Sequence, residues 1–354
     1  MYTAHTSLGS RVLCCGVLLA ACGAPDDRAQ PWVTLTSTSS MDGGEASASS
    51  NSDSALDSSS TADTDVDTTA DDADGSESTS SADCTLPDAA PPWQGDHLRE
   101  VVGVLSGELE IEPGVALSDR ASAGRRELSA TWLITHLGEH GVDAERDAYG
   151  SGTNIVARVP ATTTRLGTYV VGAHYDSVPG SPGANDNASG IAVVTALARW
   201  LVALPCRSHD VLLVAFDEEE VGLVGSAAFA AKLVADNEPV ISVHTIDQIA
   251  WDADGDRAIE LERPDAGLFE FYADVADDVP GLGELRITDT GFTDHVSFRA
   301  VGFAATGISE EYASGDTTPH YHMASDRFDT VDFAYVATAS SLINRAFGRA
   351  VGEP

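Results

Sequence analysis

The chain has 354 residues and a formal net charge of −37, from 56 acidic against 19 basic side chains, with a pI near 4.2. A surface this acidic repels phosphate backbones and excludes nucleic-acid partners. Hydrophobic residues make up 43% of the sequence, but they are spread unevenly, so a core must come from the C-terminal ~270 residues, enough for one sizeable domain.

Residues 1–22 read as a secretory signal, in which Arg11 precedes an apolar run at 12–21 that is too short to span a bilayer. The run closes on Leu19-Ala20-Ala21-Cys22, which resembles the lipobox of bacterial lipoproteins. That resemblance implies lipidation of Cys22, export, and anchoring to the bacterial cell envelope, at the outer membrane or the periplasmic face. Gly23 after the cysteine, in place of an aspartate, favours the outer membrane by the same resemblance. An ordinary signal that happens to contain a cysteine is the alternative. Residues 23–83 form a Ser/Thr/Asp-rich linker that has no Lys or Arg from residue 30 onward. One sign of charge and little to bury predict disorder, with a reach on the order of 40 Å. The spacer leads to a domain at 84–354. Its Cys84 and Cys206 predict one disulfide if the domain is exported, or else two buried thiols.

Within the domain, apolar spacing at Leu128, Trp132, Leu133 and Leu137 predicts an amphipathic helix over 118–141. Strands follow at 153–159 and 168–173, and a largely apolar helix at 189–204 is ended by Pro205. The continuous apolar run 210–216 predicts a strand buried on both faces. A helix at 225–234, strands at 240–246 and 258–261, a helix at 266–275, a strand at 302–306 and a final helix at 331–350 complete the pattern. Such alternation predicts an α/β fold with a mostly parallel central sheet and helices on both faces.

Ligand-type residues fall at the carboxyl ends of these strands, where open α/β sheets build their sites. They are His174 and Asp176 in GAHYDS, Asp186 in GANDNASG, Glu219 and Glu220 in DEEEVGLVGS, Asp247 in HTIDQ and His322 in YHMASD. Taken singly, each has a plainer reading: a structural His–Asp pair, a helix cap from Asp186 or Asn187, a solvated acidic turn, a surface pair of His322 with Asp326. Together they supply two imidazoles, carboxylates able to bridge and a spare glutamate. Imidazole and carboxylate oxygen suit zinc, and the set has neither thiolate ligands nor an all-oxygen cage.

In this order and spacing the motifs resemble the zinc aminopeptidases of peptidase family M28, over most of residues 118–335 and including Asp294-His295. The resemblance implies a phosphorylase/hydrolase-like fold, two zinc ions and a peptide or protein substrate. Asp186 would bridge the ions, with His174 and Asp247 completing one site and Glu220 and His322 the other. Glu219 would be the general base acting on a shared hydroxide, and Asp176 the partner of His174. The family pattern Glu-Glu-x-Gly-Leu-x-Gly fits Glu219 to Gly225 and leaves Glu218 outside.

Three alternatives stay open at this point: a glutaminyl cyclase-like enzyme, a non-catalytic binding lipoprotein on the same fold, and carboxypeptidase or dipeptidase cleavage by the same machinery. The domain is expected to be monomeric. Acids in the loops near Asp252, Asp254, Asp256, Glu310, Glu311 and Asp316 are candidates to hold a substrate ammonium, and Tyr321 is a candidate oxyanion donor or a packing residue.

Overall fold

Residues 84–87 and 89–352 are described by the computed structural model. The expected signal, Cys22 and the acidic spacer lie outside them. Among the described residues no helix is long and apolar enough to cross a membrane.

The strands are β1 (Ala144–Tyr149), β2 (Gly152–Val159), β3 (Thr168–His174), β4 (Asp210–Phe216), β5 (Val240–Ile246), β6 (Ile259–Glu262), β7 (Leu285–Thr288) and β8 (Ala305–Ser309). The helices are α1 (Gln94–Leu105), α2 (Ala123–Glu139), α3 (Gly190–Ala203), α4 (Val224–Ala235), α5 (Leu268–Ala276), α6 (His295–Ala300) and α7 (Phe333–Gly352). One sheet runs β1-β2-β4-β3-β5-β8-β6-β7. Its centre, β4-β3-β5-β8, is parallel, whereas β2 and β6, which flank that centre, run antiparallel to β4 and β8. This is the α/β class expected from the alternating pattern.

Strand alternation builds the layers. Every residue of β4 is buried. Val211, Leu213 and Ala215 pack toward the large core that includes residues of α1, α2, α3, α5 and α7, while Leu212, Val214 and Phe216 meet Phe229 of α4 and Phe298 of α6. The chain passes from β3 through α3 to β4, then through α4 back to β5 on the other side of β3. A crevice forms where the order reverses in this way, at the carboxyl ends of the strands.

Boundaries differ from expectation where capping decides them. The predicted 118–141 helix occupies 123–139, because the Ser122 side chain accepts from the Arg125 amide and starts it there. The strand expected at 302–306 lies at 305–309, because Gly302, with φ 95°, first closes α6. Helices α1 and α6 and strands β1 and β7 were not expected at all. Cys84 and Cys206 form a disulfide, with Cα atoms 5.3 Å apart and a sequence separation of 122.

Candidate metal centre

Four neighbouring parallel strands deliver the site. His174 closes β3, Asp217 to Glu220 follow β4, Asp247 follows β5, and β8 leads through Glu310 to the loop carrying His322 and Asp326. Asp186 enters from a distorted helical turn, Ala184–Ser189, which opens α3. Backbone angles at Asp186 (−105°, 92°) and Asn187 (−133°, 42°) leave the helical range. Asn187 then caps α3, its Oδ1 accepting from the Gly190 amide at 3.0 Å while its Nδ2 donates to the Ile246 carbonyl at 2.7 Å. Of the two candidate caps, Asn187 takes the structural task and Asp186 faces the crevice.

Asp186 stands between two ligand sets. Its Oδ1 is 3.2 Å from His174 Nε2, and its Oδ2 is 3.3 Å from His322 Nε2. Asp247 Oδ1 lies 3.6 Å from His174 Nε2, and Glu220 Oε2 lies 3.0 Å from His322 Nε2. Glu219 Oε2 is 4.0 Å from His174 Nε2. His174, Asp186 and Asp247 form one compact group of potential ligand atoms, and Asp186, Glu220 and His322 form another. Despite these approaches His174 Nε2, Asp186 Oδ2 and Glu220 Oε1 are buried without a hydrogen-bond partner. Orphaned ligand atoms on His174, Asp186 and Glu220, with the His322 imidazole beside them, fit divalent-cation binding.

Asp176 fastens two motifs together. One of its oxygens accepts from the Glu219 amide at 3.1 Å, the other from the Glu220 amide at 3.2 Å. His174 Nδ1 lies 3.4 Å from the same carboxylate and 3.2 Å from the Asp176 carbonyl, so the backbone shares the expected imidazole contact. Glu218 turns elsewhere: Arg126 Nη2 is 3.0 Å from its Oε1, and Ser151 donates to its Oε2 at 2.5 Å.

Three further residues hold the frame. Asp326 accepts from the amides of Asn185 (2.8 Å) and Asp186 (3.0 Å). Arg120, fully buried, donates to the carbonyls of Leu105, Tyr175, Pro182 and Gly183. Glu310 accepts from Asn185 Nδ2 and from the amides of Ala250 and Trp251. Glu310 therefore supports the ligand turn and is not a free pocket acid. The other loop acids are engaged similarly. Asp316 accepts from Trp251 Nε1 and the amides of Ala253 and Asp254, Glu311 pairs with Arg286, and Asp252 and Asp256 accept from the amides of Arg257 and Ala258. Tyr321 stacks on His322 with centroids 3.8 Å apart.

Burial and mutual repulsion set the protonation states. Burial, followed by the charge of Asp186, pushes Glu220 up to about 7. Burial also raises Glu219 well above the carboxylate range, with Asp247, Asp294 and Glu220 adding to the effect against the pull of His174. Burial lifts Asp294 to about 7. Burial works against the His174 imidazolium, yet Asp247 and Glu219 carry it well above its ordinary value, and Asp186 and Glu220 lift His322 to about 10 in the same way. Although burial opposes ionisation of Asp186, the two flanking imidazoles hold it below the ordinary carboxylate range. So much negative charge calls for positive charge at its centre.

A model of peptidase family M28 matches residues 154–346, more than half of the chain. The chain belongs to peptidase family M28. Within that family's reach, the aminopeptidase YwaD of Bacillus subtilis is 31% identical over 186 residues, covering 51% of this chain and 40% of its own length. Leucine aminopeptidase 1 of Aspergillus oryzae is 26% identical over 289 residues, covering 71% of this chain and 74% of its own. The solved structure of a zinc aminopeptidase from Bacillus subtilis superposes with a TM-score of 0.53 at 26% identity, covering 57% of this chain and 51% of that one. A glutaminyl cyclase from Porphyromonas gingivalis shares the fold, with a TM-score of 0.60 at 17% identity and coverage of 73% and 98%.

Proposed function

We propose that the chain is a metallo-aminopeptidase that hydrolyses N-terminal peptide bonds with two zinc ions. His174, Asp186 and Asp247 would hold one ion, and Asp186, Glu220 and His322 the other. The observation that carries this reading is the placement of Asp186, whose two oxygens lie 3.2 and 3.3 Å from imidazoles on opposite sides. When bound, the ions supply Lewis acidity to the scissile carbonyl and to the attacking water.

The rest falls to the side chains. Glu219 also forms a compact group with His174 and Glu220, but the two sets that share Asp186 do not need it, and burial raises its carboxyl. It would take the proton of the attacking water on a carboxylate oxygen and return it to the departing amine. Asp176 would orient both glutamates through their amides and keep the His174 ring in place.

The similarity to the zinc aminopeptidase structure and to the two aminopeptidase relatives supports this activity. Glu219→Gln is expected to retain both zinc ions by elemental analysis while kcat on aminoacyl nitroanilides falls ~10²–10⁴-fold; full activity would refute the assigned base. A peptide-library digest read by mass spectrometry fixes which end is cut. Pyroglutamate formation from N-terminal glutamine without cleavage would overturn the peptidase reading in favour of the cyclase.

We also propose export with a lipid on Cys22, supported by the signal-like sequence and by the Cys84–Cys206 disulfide, which suits an oxidising compartment. Radiolabelled palmitate incorporated by wild type and lost in Cys22→Ser tests it.

A further inference from the structure

Away from the strand ends, three histidines meet between α1 and α2. His136 and His140 are four residues apart in sequence around the end of α2, and so project from one face. His97 comes from α1. Ring centroids are 5.0 Å apart for His97–His136, 5.4 Å for His97–His140 and 4.8 Å for His136–His140. One ring nitrogen from each lies within 4.8 Å of the other two. His97 and His136 are only 2% and 3% exposed. His97 Nδ1, His136 Nε2 and His140 Nε2 are all buried without a hydrogen-bond partner.

Three orphaned imidazole nitrogens in one place are costly, since each is shut away from water without a partner. Their chemistry is also defined. Thr195 Oγ1 can give its one proton to the Ile191 or Ala192 carbonyl, at 2.9 and 3.1 Å, and toward His97 it then accepts. His97 Nε2, 3.0 Å away, therefore carries the ring proton, and Nδ1 is left as a bare lone pair. An N–H anchored on an oxygen while the opposite nitrogen stays free is the usual arrangement behind a metal-binding histidine.

We propose that His97, His136 and His140 form an additional binding site for a borderline divalent metal ion of the zinc or copper class. Three neutral imidazoles match the ligand preferences of those ions. The surroundings keep the ligands neutral. Burial lowers His97 to about 2 and His136 to about 4, and Arg199, stacked 4.1 Å over the Trp93 ring, adds a like charge. Trp132 stacks on His136 at 4.6 Å and Trp93 meets His97 edge-on at 5.7 Å, fixing both rings. Glu100 and Glu139 act on His140 in the opposite sense to Arg199 and temper its repulsion of a cation. Such an ion would staple α1 to α2. The site is separate from the catalytic set, since none of its residues follows one of the four strands there.

The test uses the mature, disulfide-intact protein, stripped of metal, reloaded with zinc and passed through a sizing column. Wild type is expected to retain one zinc ion beyond those held around Asp186. His140→Gln, the least buried of the three, should lose that ion while keeping peptidase activity, and Asp186→Asn should keep it while losing the others. Equal zinc content in wild type and His140→Gln overturns the site. If catalysis alone has been misread, the extra ion persists without the catalytic pair, so the two failures are distinguishable. Should His140→Gln not fold, wild type settles the matter. One equivalent of copper added to the zinc-loaded protein should give a three-imidazole electron spin-echo signature, which neither catalytic set, with one histidine each, can produce. A one-imidazole signature or no binding overturns the proposal.

Discussion

Asp326 illustrates how a side chain can govern a site through main-chain atoms. It holds the amides of Asn185 and Asp186 and so fixes the turn that aims Asp186 at both imidazoles. Asp326→Asn leaves one acceptor oxygen where two amides need one each. Zinc affinity, measured by competition with a chromogenic chelator, is expected to fall ~10–100-fold with the fold intact; unchanged affinity would mean that the turn holds itself. A different residue controls acid sensitivity. His244 is fully buried on β5, with Ser242 Oγ and Tyr272 Oη each 2.8 Å from a ring nitrogen, and burial lowers it to about 3. The unfolded chain takes up this proton near pH 6.5 and the folded chain only near pH 3, so stability falls as pH drops through that window. Between pH 7.5 and 5 the loss amounts to ~2 kcal/mol from this group, at ~1.4 kcal/mol per unit. Urea unfolding of His244→Gln should show a decline shallower by that amount than wild type; parallel curves would assign the acid sensitivity elsewhere.

Elements were legible in the sequence in proportion to how one-sided their chemistry is. The run at 210–216 has no solvent face, and it reads as a buried strand because it is one. β1 is an edge strand whose sequence AERDAY is only partly buried, and α6 has six residues, so neither leaves a periodic signal. The candidate ligands were legible because each lies in a compact motif, and His174, Glu219, Glu220 and Asp247 close or directly follow a strand. Asp326, Arg120 and Glu310 were not, since their partners lie 15 to 141 residues away and most are backbone atoms that no side-chain pattern records. For the same reason the loop acids looked available for substrate when most cap the turns around them. The disulfide belongs to this scale as well. It joins the segment before α1 to the turn after α3, across 122 residues. Loop-closure entropy over that span predicts a loss of about 5 kcal/mol in urea for Cys206→Ser. The bond lies at the far end of α3 from Asp186, ~20 Å away at 1.5 Å per residue. Activity per folded molecule should therefore be unchanged, and a matching fall in kcat would tie the disulfide to the site.

The whole molecule is organised around one acidic crevice in a chain that is already strongly negative. Segments from β3, the start of α3, β4, β5 and the long connection after β8 end in carboxylates or imidazoles that face one another. Without cations these groups repel or take up protons, and the strand ends gain little from being brought together. With cations the same groups bind five separated stretches of chain, so binding should stabilise the global fold. Free zinc at 100 times its dissociation constant adds ~2.7 kcal/mol for one independent site. Stripping with phenanthroline and removing the chelate is expected to lower the midpoint of thermal unfolding and abolish activity, with both restored by zinc. In Asp186→Asn the midpoint should already be low and should respond far less to zinc, because the residue common to both ligand sets has lost its charge. An unfolding midpoint indifferent to zinc in the wild type would show that the crevice is held by its hydrogen-bonded frame, by Arg120, Asp326 and Glu310, and not by ions shared between its strands.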